Sequence, residues 1–393
     1  MSGRRLRVLN IITRMIRGGA QETAMLQAAL LDPERFQCEI LTGPETGSEG
    51  SLHEETRARG IPLHVEPSLV RAVRPWQDLR ALKRIEARLR GGRYDIVHTH
   101  TSKAGVLGRV AARRAGVPVV VHTAHGWAFH VRGGGYWAPI ERWCARRCDA
   151  IVVVSRTDET SGLAHGVGVP SQYHLIRSGI ELDAFRAPGV TRDEMRRRLG
   201  WRPEAFVVGM VGRLSPQKAP LDLVAAFARI AAERPELELA LIGDGPLRAD
   251  VDRAVDSAGL ARRVHRLGLR ADVPQLLVAL DALALTSRWE GMPRVFPQAM
   301  AARLPILATA VDGAREAVTA GETGLLVPPG DVAAIAAALR ELATDPARAR
   351  RMGEAGARRA SEFSAELMAR QLEALYESLW ERRTGAAPRP HPA

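Results

Sequence analysis

The 393-residue chain has three cysteines, few aromatic residues (5%) and no apolar run near the ~18 residues that a membrane-spanning helix requires. So few cysteines exclude a disulfide-stapled scaffold. Cys38 stands alone, Cys144 and Cys148 lie one helical turn apart, and no His/Cys pair at zinc spacing accompanies them. Free thiols in a reducing compartment are therefore expected. The basic start (Arg4, Arg5, Arg7) is like the head of a signal peptide, but Asn10, Thr13 and Arg14 interrupt the apolar stretch behind it. It reads as a first β-strand. The first half is also short of acid. Residues 1–200 hold 31 Lys and Arg against 20 Asp and Glu, whereas 201–393 hold 25 against 24. Nearly all of the +12 net charge thus lies in the N-terminal half, which points that half toward an anionic partner.

What is present is apolar content, at 46%, enough to exclude a disordered chain and to fill two cores. In the first half, strands are expected at 7–12, 37–41, 63–65, 93–98, 117–122 and 150–154. Helices are expected at 21–31 and 78–89, the latter with Trp76, Leu79, Leu82, Ile85 and Leu89 on one face. The second half repeats the grammar, with strands at 206–211, 237–242, 282–285 and 306–308. Its helices are expected at 221–233, 247–258, 274–280, 293–302 and 332–343. Short, continuously apolar strands alternating with helices predict an α/β chain with two doubly wound parallel sheets. The expected division is 1–188 and 189–361, joined at the turn-rich 187–190, then a helix over 362–383 and a disordered tail over 384–393.

The chemistry-bearing motifs fall after strands. Gly18-Gly19 follows the first strand and opens a helix, where backbone can approach an anion. Gly212-Arg213 and Lys218 follow the first strand of the second half. A guanidinium fork and an ammonium five residues apart can clamp a diphosphate. Glu290-Gly291-Met292-Pro293-Arg294-Val295 opens a helix at another strand end, so its backbone N–H groups are expected to face an anion and Glu290 to face sugar hydroxyls. Gly243 begins a turn suited to the floor of the same site. His98, His100 and His125 lie near two strand ends, with Lys103 close behind. No carboxylate completes a metal set around these histidines, so hydrogen bonding rather than metal binding is expected.

Together these motifs resemble the family 4 retaining glycosyltransferases of the GT-B fold, in particular those of bacterial cell-surface polysaccharide and lipopolysaccharide. The likeness runs from Gly18-Gly19 through His98-Thr99-His100, Gly212-Arg213, Lys218 and Glu290-Gly291-Met292-Pro293 to Gly324-Leu325-Leu326-Val327. It implies two Rossmann-like domains facing across a cleft, the first binding acceptor and the second a nucleotide-sugar donor (UDP or GDP), with the last helix crossing back to the first domain. It makes Arg213 and Lys218 the diphosphate clamp, Glu290 the sugar contact and Gly291–Pro293 the phosphate cradle. Gly19 becomes the loop closing on the donor, and His125 the histidine nearest the reaction centre. His98, His100, Lys103 and Arg177 are acceptor-side candidates, Arg177-Ser178-Gly179 standing where the family usually has Pro-Asn-Gly. Gln298 stands where the family has a second glutamate on the ribose. An amide still accepts from a ribose hydroxyl, without charge.

The resemblance implies a metal-independent transferase without a cofactor. Its acceptor would be a glycan or lipid-linked precursor of the cell envelope, reached in the cytoplasm at an anionic inner membrane face. A GT-B epimerase or phosphorylase would share the clamp. A basic nucleic-acid binder, which would need aromatics interleaved with its cations, ranks last, because the first half has few aromatics and they read as mostly core-directed.

Overall fold

The computed structural model describes residues 4–45, 50–130 and 135–385. The chain forms two compact units, Met1–Gly179 with Ala365–Ala393, and Ile180–Ser364. The first unit holds β1 (Leu6–Ile12), β2 (Phe36–Thr42), β3 (Leu63–Val65), β4 (Ile96–His100), β5 (Val119–Ala124), β6 (Ala150–Val153) and β7 (Tyr173–Leu175). They pair in parallel in the order β3-β2-β1-β4-β5-β6-β7. The second unit holds β8 (Phe206–Val211), β9 (Leu237–Ile242), β10 (Val264–Gly268), β11 (Ala282–Leu285), β12 (Ile306–Thr309) and β13 (Gly324–Val327). These pair in parallel in the order β10-β9-β8-β11-β12-β13. β7, β10 and β13 were not expected. They are edge strands: β7 and β10 carry polar residues that break any apolar run, and β13 is only four residues long.

Successive residues of a strand face opposite sides, and the first sheet uses both faces. Val8, Ile96, Val121 and Val152 form one core with Ala365, Met368, Leu372 and Tyr376 of the closing helix Ala365–Thr384. Leu9, Val97, Val120 and Ile151 form another with Ala81, Ile85 and Leu89 of the helix Pro75–Gly92 and with Ala104 and Ala111 of Ser102–Ala115. Each leucine or methionine so buried contributes about 1.5–3 kcal/mol. The closing helix is therefore a full member of the first unit.

Three expectations are corrected. The change of unit falls after Gly179, not at 188. Ile180 N–H donates to Phe363 O at 3.0 Å and Gln275 Nε2 donates to Pro188 O at 3.2 Å, so the turn-rich segment is bonded into the second unit. At the far end, Ala360–Phe363 is a 3₁₀ turn of that unit, and the closing helix begins at Ala365. The tail residues 386–393 lie outside the described residues. Finally, the helix Pro75–Gly92 buries Ala81, Ile85 and Leu89 but leaves Trp76 86% and Leu79 41% exposed. At 3.6 residues per turn the nine positions from Trp76 to Ile85 make about two and a half turns, so the two side chains point opposite ways. The three cysteines are free thiols, Cys144 and Cys148 buried.

Candidate active site

In the second unit, the loops bearing Gly212, Arg213 and Lys218, Gly243, and Glu290 to Val295 leave the carboxyl ends of β8, β9 and β11, three neighbouring strands. Open parallel sheets bind ligands at such ends. The backbones meet closely there: Gly243 has φ +139, and a Cβ on it would lie 2.0 Å from Gly212 O. Only glycine fits. The loops after β8 and β11 are laced together. Arg288 N–H donates to Gln217 O at 2.7 Å, Gln217 Nε2 to Trp289 O at 3.1 Å, and Thr286 Oγ1 to Ala219 O at 3.0 Å.

Across this seam Lys218 Nζ pairs with Glu290 Oε1, and Ser287 Oγ donates to the same oxygen at 2.5 Å. The two side chains are 18% and 8% exposed. This contact answers a difficulty in the sequence. A carboxylate repels a nearby anion unless a cation offsets its charge, and Lys218 lies against Glu290 here. Arg213 stands exposed at the head of its loop. A third loop braces Glu290 from behind. Glu290 N–H donates to Asp312 Oδ2 at 3.0 Å, and Gly313 N–H to Gly291 O at 3.0 Å. A Cβ on Gly313 would come within 2.0 Å of Gly291 O. Asp312 itself is held at φ 28.

The helix here is Val295–Ala301, which starts later than expected. Gly291 is tied to Gly313, and Pro293 precedes the helix instead of opening it. Pro293 also has no N–H to offer. The residues of this corner that carry a backbone N–H are Gly291, Met292, Arg294 and Val295. Gln298 lies within the helix and is half-buried.

In the first unit His98 and His100 lie within β4, and the other expected residues follow β1, β4, β5 and β7. Gly18 is extended at φ −176, and a Cβ there would meet only the tip of Gln21, 2.8 Å away, so the fold does not require glycine at this position. Gly19 opens the helix Gly19–Leu30 and is exposed. Three acceptor-side candidates are buried. His98 is fully buried, its Nδ1 2.6 Å from Tyr376 Oη and its Nε2 2.6 Å from Thr123 Oγ1. Burial, then the neighbouring His125, pushes its pKa down to about 3. His100 is likewise fully buried and held well below the usual histidine value by burial, then by His98 and His125. Lys103 is 9% exposed, its Nζ paired with Asp78 and donating to Ala72 O. None of these three faces outward. The half-buried His125 and Arg177 do reach the surface.

Sequence reasoning missed Asp312 as a brace of Glu290 and Asn10 as a partner of His100, whose Nε2 lies 3.2 Å from Asn10 Oδ1. Asn10 left a signal: a polar residue inside the mostly apolar run Leu6–Ile12.

Two parallel-sheet Rossmann-like units of this kind define the GT-B class. HepE of Anabaena, whose crystal structure is in complex with UDP and glucose, matches 95% of this chain and all of its own with a TM-score of 0.83 at 24% identity. WaaG, a glycosyltransferase involved in lipopolysaccharide biosynthesis, matches 97% of this chain and all of its own with a TM-score of 0.72 at 16% identity.

Residues 17–184 match the family described as Glycosyltransferase Family 4, and 191–359 that described as Glycosyl transferases group 1. The UDP-Gal:alpha-D-GlcNAc-diphosphoundecaprenol alpha-1,3-galactosyltransferase of Escherichia coli is 30% identical over 349 residues, 87% of this chain and 89% of the relative. The D-inositol 3-phosphate glycosyltransferase of Kribbella flavida is 33% identical over 326 residues, 77% and 75% of the two chains. The chain belongs to this glycosyltransferase family, and it is a GT-B glycosyltransferase.

Proposed function

We propose that the chain transfers a hexose from a UDP-sugar to a hydroxyl of a glycan carried on a lipid diphosphate, with retention at the anomeric carbon. The observation that carries this reading is the 30% identity, over 87% of this chain, to the E. coli galactosyltransferase, whose name gives both a UDP-sugar and a diphosphoundecaprenol acceptor. The laced loops of the second unit suit the donor. In the proposed step the bond from the anomeric carbon to the β-phosphate oxygen breaks, and its electron pair stays on the phosphate. Arg213, Lys218 and the amides around Gly291, Met292, Arg294 and Val295 offset that charge, with neither metal nor cofactor. The acceptor oxygen bonds to the anomeric carbon on the face the phosphate leaves, and its proton passes to the phosphate. Glu290 accepts from hydroxyls of the donor sugar and Gln298 from the ribose.

The first unit suits an anionic leaflet. Val73 (65% exposed), Trp76 (86%) and Leu79 (41%) stand clear of the core at the head of the helix Pro75–Gly92. Exposed Arg71, Arg74, Arg80 and Lys83 flank them in the chain. Tryptophan settles at membrane–water interfaces, and each Lys or Arg near an anionic leaflet contributes about 1 kcal/mol. Among the described residues no helix is long and apolar enough to cross a membrane. The contact proposed is therefore peripheral.

A donor screen read as nucleotide release tests the reading, with UDP-galactose as the first probe and GDP-sugars alongside. Release that requires a polyprenyl-diphosphate-linked sugar is the expected result. Equal release without any acceptor, or release that depends on inorganic phosphate, assigns the chain to the epimerase or phosphorylase class instead.

A further inference from the structure

Asp312 occupies a place that suits glycine. The chain turns after β12 so that Gly313 N–H donates to Gly291 O at 3.0 Å. Asp312 makes that turn at φ 28, a left-handed value that a residue with a Cβ adopts at a cost. Glycine would make the same turn without the cost. What the aspartate adds is a carboxylate, whose Oδ2 accepts from Glu290 N–H at 3.0 Å. Glu290 is thereby held at both ends. Its side chain is fixed through Oε1, which accepts from Ser287 Oγ at 2.5 Å and pairs with Lys218. Ser287 is anchored in turn, since Thr309 Oγ1 donates to Ser287 O at 2.5 Å. Its main chain is fixed by the Asp312 carboxylate, and the next residue by Gly313. All of these groups belong to the second unit, Ile180–Ser364.

We propose that Asp312 is a positioning residue: its carboxylate fixes the main chain at Glu290 and so sets where the Glu290 side chain meets a hydroxyl of the donor sugar. The left-handed backbone at Asp312 is the cost of placing a carboxylate there. Strain of this kind persists where the surroundings over-determine it, and it gathers at functional sites. The proposal rests on the reading of Glu290 as the sugar contact.

Three substitutions separate the carboxylate from the backbone. Asp312→Ala and Asp312→Gly both remove the acceptor, but glycine relieves the left-handed conformation and alanine does not. Asp312→Asn keeps an oxygen for the Glu290 N–H and tolerates that conformation. With UDP-galactose and a lipid-diphosphate acceptor, the Ala and Gly variants should each lose about tenfold in kcat, the scale of a misplaced contact. The Gly variant should nevertheless melt at a higher temperature than the Ala variant. Asp312→Asn should recover most of the lost turnover. Binding of UDP, which carries no sugar, should stay close to wild type by calorimetry in all three. In a Glu290→Ala background, Asp312→Ala should cost little more, because the side chain it positions is gone. A purely structural Asp312 predicts turnover that follows melting temperature, with the Gly variant faster than the Ala variant, and that result overturns the proposal. So does an Asn variant as slow as the Ala variant, or UDP binding that weakens as much as turnover. If Glu290→Ala itself turns over like the wild type, it is the reading of Glu290 that fails.

Discussion

Lys218 and Glu290 show how much of the site is a matter of single residues. Each was legible alone, a cation and a carboxylate after strands. Their pairing was not, because they are 72 positions apart in the chain and only the adjacency of β8 and β11 joins them. The pair holds Lys218 at the seam, so the proposed step would need little reorganisation there as charge develops on the departing phosphate. Lys218→Ala and Arg213→Ala should each lower turnover about 100-fold, the scale of losing one electrostatic group at the transition state. Circular dichroism and the melting temperature should stay close to wild type, since Arg213 is exposed and Lys218 lies at a loop. Near wild-type kcat in both variants would remove the clamp from the account. The brace of Asp312 on Glu290 was illegible for the same reason as the ion pair: a turn on another strand end gives no sign of which backbone it will meet.

At the scale of elements, the central strands were legible because they are buried on both faces and read as unbroken apolar runs. Edge strands such as β10, which reads Val-His-Arg-Leu-Gly, carry no such signal. The helix Pro75–Gly92 was found, but its phase was misjudged. Counting Trp76 with Ile85 on one face put an exposed ring on the side of the helix that meets the core. The corrected phase changes the expected membrane behaviour. Binding to vesicles rich in anionic lipid should be strong at low salt and weaken as salt screens the arginines, with the Debye length falling to roughly 3 Å at 1 M. Trp76→Ala should weaken binding at every salt concentration, whereas reversing the charge of Arg80 and Lys83 should weaken it mainly at low salt. Co-sedimentation measures both. Equal binding to neutral vesicles, or none to anionic ones at low salt, would contradict this.

For the whole molecule, two α/β halves and a basic first half were readable from strand rhythm and charge alone. The path of the chain was less so. It leaves the first unit at Gly179 and rejoins it at Ala365, so the core under β1, β4, β5 and β6 is completed by the last helix. Tyr376, 278 positions from His98, closes a hydrogen bond on that ring, which no local pattern announces. The central claim is glycosyl transfer from a UDP-sugar to a lipid-diphosphate-linked glycan, without metal and with retention. The most direct measurement is product analysis of the purified chain with UDP-galactose, a polyprenyl-diphosphate-linked N-acetylhexosamine and excess EDTA, by mass spectrometry and by NMR of the new anomeric proton. The account predicts addition of one hexose to the acceptor, in the α configuration of the donor. A β-linked product, turnover that needs Mn²⁺, or free hexose with the acceptor unchanged would contradict it.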